Sequence, residues 1–191
     1  MPQGACAIVD HDRELLERLS AFTPVPFDGE VFRATRLSLN ALAPSTSGGR
    51  WMVPGETATL YTSVEADGAL AEIAFHWGQM TPIPSKPAML HRVRLGTRKS
   101  LRLARSDLIA LGVDWSSYGS RGYARTQAIG AAVARLKCDG LIAPSARWHC
   151  ENVMVFLTNQ TGEQEIAKFV ASEQVDWRAW ARDKGVAVPP T

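Results

Sequence analysis

Strand-like and helix-like segments follow one another along this chain without regular alternation, and none is long. Apolar residues recur at helical spacing in three places. These are Asp10–Phe22 (Leu15, Leu16, Leu19), the run opened by Asp67 as expected N-cap (Leu70, Ile73, Ala74, Trp77), and Tyr123–Lys137 (Ile129, Val133, Leu136). Shorter helices are expected over Ser106–Leu111 and Trp177–Lys184. Glu30–Arg36, Ala58–Ser63, Met89–Leu95, Gly140–Ala143 and Val153–Thr158 read as strands. Pro24 and Pro26 should stop the first helix and form an extended link, Gly78 should end the second, and Ser38–Arg50 should be loop. A doubly wound parallel sheet needs strand–helix–strand repeats, and this order lacks them. The expectation is an α+β domain with small mixed or antiparallel sheets flanked by helices. At 191 residues the chain is the size of one domain.

Several function classes drop out at this level. No run of about 18 apolar residues is present, so no membrane-spanning helix is expected. Met1–Asp10 lacks a cationic stretch followed by an apolar one, the pattern of a secretory signal. Cys6, Cys138 and Cys150 are too few and too scattered for a disulfide framework or a zinc site. A cytoplasmic protein is the expectation. His11, His76, His91 and His149 form no metal-binding pattern; packing or surface roles are expected for them, and no metal. Twenty-one Lys+Arg against 19 Asp+Glu leave a net charge of +2, too even for direct nucleic-acid binding. The cationic side is mostly Arg, with Lys only at 86, 99, 137, 168 and 184. Arg forks grip phosphate, although codon usage in a GC-rich genome accounts for the same bias. Neither a phosphate-loop lysine motif nor a Gly-x-Gly-x-x-Gly fingerprint occurs.

The densest set of chemically useful side chains lies between Arg33 and Glu72. Arg33, Arg36, Arg50, Tyr61, Ser63 and Glu72 fall in this stretch, with Gly48-Gly49 placed to bring backbone close to a ligand. Each alone has an ordinary explanation: a surface charge, a turn, a core tyrosine, a solvated helix carboxylate.

Their order is more specific than their types. Ser47-Gly48-Gly49-Arg50-Trp51, Pro54-Gly55, Leu60-Tyr61-Thr62-Ser63 and Ala69-Leu70-Ala71-Glu72 resemble the signature of the RES-domain family. Val31-Phe32-Arg33 resembles that family's aromatic–Arg strand, with Phe32 where Tyr is commoner. Ile142-Ala143-Pro144-Ser145-Ala146 resembles its apolar–Pro–Ser segment, and Glu151-Asn152 with Val153–Leu157 its Asn-bearing strand. The family commonly has Val where this chain has Ala143, and Asn where it has Met52. The resemblance covers about Val31–Thr158 of a single domain, residues 1–191. A helix over 10–22 and a helical extension over 173–184 lie outside it.

The resemblance implies an ADP-ribosyltransferase-like fold and the toxin of a bacterial toxin–antitoxin pair, with NAD+ as substrate. Such a protein cleaves NAD+ at the nicotinamide–ribose bond and passes ADP-ribose to a protein target, to phosphate or to water. A protein target is slightly favoured by the added flanks. It implies an Xre-type antitoxin that occludes the active site. The catalytic set would be Glu72, Arg33, Tyr61 and Ser145, and the NAD-binding set Arg33, Arg50, Tyr61, Ser63 and Asn152. Glu72 would stabilise the cationic ribose, Arg33 and Arg50 would clamp the pyrophosphate, and Tyr61 would pack on the nicotinamide ring. Ser145 would contact the ribose or the carboxamide, not act as a nucleophile, because no His–acid pair supports its activation. The rival expectation is a catalytically silent module that binds a nucleotide or the antitoxin, prompted by Met52 and the flanks.

Overall fold

The structure is a computed structural model that describes residues 13–160 and 166–187; Asp10–Asp12 of the first expected helix, with Cys6 and His11, lie outside them. Six strands, β1 (Val25–Arg36), β2 (Thr59–Ser63), β3 (Ala88–Arg102), β4 (Gly140–Pro144), β5 (Glu151–Phe156) and β6 (Ala167–Val175), are joined in the order β1-β2-β5-β4-β3-β6. A long antiparallel ladder from Val25↔Ser100 to Arg36↔Ala88 also pairs β1 with β3, closing the first five into a ring with β6 outside it. The set is mixed: β3 and β4 run parallel over Ser100–Arg102, and the other pairings are antiparallel.

The central strands read as continuous apolar runs because both of their faces are covered. From β4 and β5, Leu141, Ala143, Met154 and Phe156 point to one core. There they meet Trp51, Ile129 and Val133, together with Leu15 and Leu19 of α1, described over residues 13–20. Ile142, Val153 and Val155 alternate into a second core inside the ring, against Leu60, Val31, Val93 and Leu95. Helix α4 (Ala124–Arg135) and the shorter α3 (Arg105–Ala110) lie over the first face. Gly130 lets α4 close onto the loop before β2, since a Cβ there would stand 1.7 Å from the Trp51 carbonyl oxygen.

Helix α2 (Ala66–Trp77) packs against β1, with Ala69 and Leu70 over Leu90 of β3. Helix α5 (Trp177–Asp183) covers the far side of α2 through Trp177, which meets Trp77 edge-on at 5.5 Å. Asp67 completes that joint, accepting from Trp180 Nε1 at 2.8 Å and Lys184 Nζ at 2.6 Å. The N-cap of α2 is therefore Glu65, and Asp67, expected there, sits in the first turn with its carboxylate on α5.

Three further expectations change. Pro24 and Pro26 do not make a link: β1 begins at Val25 and carries Pro26 at a register irregularity, where a missing N–H is tolerated. The strand expected over Met89–Leu95 runs on to Arg102. Strand β6 was not expected. The exposed arginines of β3 are partly neutralised across the ladder, Arg92 with Glu30 and Arg94 with Asp28, so they form no bare basic stripe. No helix among the described residues is long and apolar enough to cross a membrane.

Candidate active site

A cavity of about 290 Å³ opens beside the Tyr61–Ser63 end of β2 and the Asn152 end of β5. Strand β1 brings Arg33 to it, the Gly48–Trp51 loop brings Arg50, and β2 brings Tyr61 and Ser63. Helix α2 adds Glu72, and β5 adds Asn152. The ladder explains the last grouping: Tyr61 opposes Met154 and Ser63 opposes Asn152, so all four share one face. On α2 the stripe Ala69, Glu72, Ile73 and His76 faces the cavity, at i, i+3, i+4 and i+7. All the expected site residues but Ser145 line this one space.

Glu72 is held from behind. Its Oε1 accepts from Ser145 Oγ and from Asn152 Nδ2, each at 3.0 Å, while Oε2 has no hydrogen-bond partner among the described residues. Ser145 is buried, and its oxygen in turn accepts from the backbone N–H groups of Arg147 and Trp148 at 3.1 and 3.3 Å. The Ser145 hydroxyl is thus fully engaged by protein and supports the carboxylate instead of lining the cavity. Ser63, also expected to bind ligand, has its hydroxyl 3.2 Å from the Cys150 sulfur. Burial raises the Cys150 thiol above its usual value, with the Ser63 contact opposing.

The two arginines carry no carboxylate partner among the described residues. Arg33 Nη1 donates to the carbonyls of Ala41 and Ala43 at 3.0 and 2.5 Å, pinning the loop after β1. Burial lowers its pKa from the usual value. Arg50 Nη1 donates to the Tyr118 carbonyl at 2.6 Å and Nη2 to that of Ser120 at 3.2 Å. Its guanidinium lies over the rings of Tyr118 and Tyr123, at 4.9 and 4.7 Å. A half-buried guanidinium that bonds only to neutral carbonyls keeps its charge uncompensated, and an anion is the natural complement.

Tyr61 stands against Gly49, where a Cβ would come within 2.8 Å of the phenol oxygen. Gly49 therefore makes room for an aromatic ring of the site itself, while Gly48, at φ 76°, closes the turn against Met52 and Pro54. The Tyr61 hydroxyl is buried without a partner, and that burial pushes its pKa far above the usual value. Met52, where relatives commonly carry Asn, is 1% exposed and packs into the first core, away from the cavity.

Three side chains at or beside the site were not anticipated. Tyr123 and His76 line the cavity, and Arg147 lies near Glu72 with its guanidinium over the Phe75 ring. Arg147 also donates to the Gly119 carbonyl, and its Nε is buried without a partner. Burial lowers the His76 pKa, Glu72 opposes, and Arg147, Arg121 and Arg50 add to the lowering. His76 follows Glu72 by one helical turn, a signal the sequence did contain. No group of three or more His, Cys, Asp and Glu able to hold a metal occurs among the described residues.

The arrangement is a cationic cleft with one oriented carboxylate and an aromatic wall. The family model described as RES domain matches residues 29–178. No curated protein sequence matches the chain. Among solved structures, a chain of the M. tuberculosis MbcT–MbcA toxin–antitoxin complex is similar, with a TM-score of 0.77 and 19% identity. The match covers 90% of this chain and 97% of that one, and at this identity the likeness is one of fold.

Proposed function

The chain belongs to the RES-domain family, and from that premise we propose that it is the toxin of a toxin–antitoxin pair, cleaving NAD+ at the nicotinamide–ribose bond. The observation that carries this reading is the lining of a single cavity by two arginines without a carboxylate partner among the described residues, Arg33 and Arg50, and one clamped carboxylate, Glu72. A dinucleotide supplies what each lacks. Its pyrophosphate takes the free donors of Arg33 and Arg50, and its nicotinamide packs on Tyr61. The Oε2 of Glu72 meets the ribose as positive charge develops at C1′. Nicotinamide leaves as a neutral base with the bonding electron pair, and ADP-ribose passes to the acceptor that reaches C1′.

The flanks do not favour a protein acceptor over phosphate or water, because they are part of the fold. Leu15 and Leu19 of α1 lie in the first core, and α5 is docked on α2 through Trp177 and Ala181. The partner in this reading is an antitoxin of Xre type that covers the mouth of the cavity. The silent-module alternative loses one of its motives, since Met52 is a core residue.

The test is nicotinamide release from NAD+ by the purified protein, with product masses read in the presence of phosphate and of cell lysate. Arg33→Ala and Glu72→Ala are each expected to lower kcat/KM by about 100-fold or more, as groups acting in the transition state do. Turnover like the parent's in both variants would remove the site. NAD+ bound by the parent without nicotinamide release would instead support the silent module.

A further inference from the structure

The connection between β4 and β5 brings more than Ser145 to the site. It is a hairpin closed by Ser145 N–H, which donates to the Cys150 carbonyl at 2.8 Å, and its tip reaches α2 at two places. Arg147 lies with its guanidinium over Phe75, near the end of that helix, and Trp148 donates from its indole Nε1 to Glu65 Oε2 at 3.2 Å, at the helix start. Glu72 falls between these two points in the helix. The backbone N–H groups of the same two residues donate to Ser145 Oγ, which donates to Glu72 Oε1. The residues that hold the helix therefore also orient the serine. Trp148 has a second set of contacts, on α5. Its ring packs on that of Trp180 at 5.8 Å and 49°, and Lys184 Nζ, at the end of α5, stands 5.8 Å from its centroid. Trp180 and Lys184 are themselves fixed by Asp67 in the first turn of α2. Trp148 belongs to none of the apolar clusters of the core, so core packing is not its role.

We propose that Trp148 is a positioning residue for Glu72, and that α5 acts on the carboxylate through it. Seated between Glu65, Trp180 and Lys184, the indole fixes the hairpin tip. The tip holds its two N–H groups on Ser145 Oγ, and the serine, with its lone pairs so engaged, keeps its proton on Glu72 Oε1. With the Trp148 side chain shortened, the tip loses its hold on Glu65 and α5, the hydroxyl is free to turn, and Glu72 loses one of its two donors. Trp148 itself lines no part of the cavity, so it acts without touching substrate. This rests on the NAD+-cleaving reading and adds a residue that sets the geometry of its carboxylate.

The experiment is a double-mutant cycle read by nicotinamide release from NAD+. Trp148→Ala should lower kcat by about 10-fold, with KM within about twofold of the parent. In the Ser145→Ala background no hydroxyl remains to be oriented, and there the same change should lower kcat by less than about twofold further, because residues acting in one network are not additive. Trp148→Phe keeps a ring against Trp180 and Lys184 and should hold kcat within about threefold of the parent. Glu65→Ala removes only the acceptor of the indole, on an exposed side chain that makes no cap hydrogen bond, and leaves the hairpin sequence intact. It should show the same pattern more weakly, a loss of about threefold that disappears in the Ser145→Ala background, and it keeps the cycle decisive if Trp148→Ala does not fold. Equal losses in both backgrounds would overturn the proposal, since general loosening of the fold gives that result. A parent-like kcat in Trp148→Ala, or a raised KM at unchanged kcat, would overturn it as well. A Trp148→Phe variant as impaired as Trp148→Ala would overturn the part given to α5. Failure of the parent to cleave NAD+ at all would instead remove the underlying reading.

Discussion

Glu72 shows how a helix carboxylate becomes a directed one. One of its oxygens takes two donors, Ser145 Oγ and Asn152 Nδ2, which leaves the other without a hydrogen-bond partner among the described residues on a side chain that lines the cavity. Ser145 therefore acts through Glu72. Ser145→Ala is expected to lower kcat for nicotinamide release by about 10-fold to 100-fold, the scale of one lost buried hydrogen bond, with KM within about twofold of the parent. A raised KM at unchanged kcat would put Ser145 on the substrate, the role the sequence implied. Arg33, Arg50, Tyr61 and Glu72 were legible because they sit in ordered motifs separated by fixed spacings. The place of Ser145 was not, since its engagement depends on backbone N–H groups of Arg147 and Trp148 that fold back on it. Arg147 was missed for a related reason: it enters by way of a loop crossing, its guanidinium spanning from Phe75 to the Gly119 carbonyl.

At the scale of elements, the site depends on close backbone approach. Helix α4 touches the Trp51 carbonyl at Gly130, and Gln127 Nε2 of the same helix donates to the Gly49 carbonyl at 3.0 Å. Gly130→Ala is expected to cost about 1–3 kcal/mol of stability through overpacking, and to reduce activity as the Gly49–Arg50 loop shifts. Chemical denaturation and nicotinamide release check this; unchanged values for both would mean that the loop does not lean on α4. The helices were legible from their 3.6-residue periodicity, and the buried strands from continuous apolar runs. Strand β6 was not, because only Ala167, Ala171 and Val175 are partly buried while the residues between them are exposed. That four-residue spacing is not the alternation of a strand. The second half of β3 was lost in the same way, where Gly96 and the exposed Arg98–Lys99 pair interrupt the pattern.

For the whole molecule, ring closure through the β1–β3 ladder places Arg33 of the first strand near Asn152 of the fifth, far apart in sequence but lining one cavity. The flanks that the sequence left unassigned complete this body: α1 fills the first core, and α5 backs the helix that carries Glu72. Sequence reasoning could place these segments as helices but not on a surface, since what covers an apolar stripe is decided by packing at long range. The central claim is that Arg33, Arg50 and Glu72 surround one dinucleotide. The direct measurement is a crystal structure of the protein with an NAD+ analogue whose nicotinamide is joined to ribose by a carbon–carbon bond and cannot leave. The expected result is a pyrophosphate bonded to Arg33 and Arg50, with the adjoining ribose on Glu72 Oε2. A dinucleotide seated outside this cavity, or held there with its phosphates away from both arginines, would contradict it.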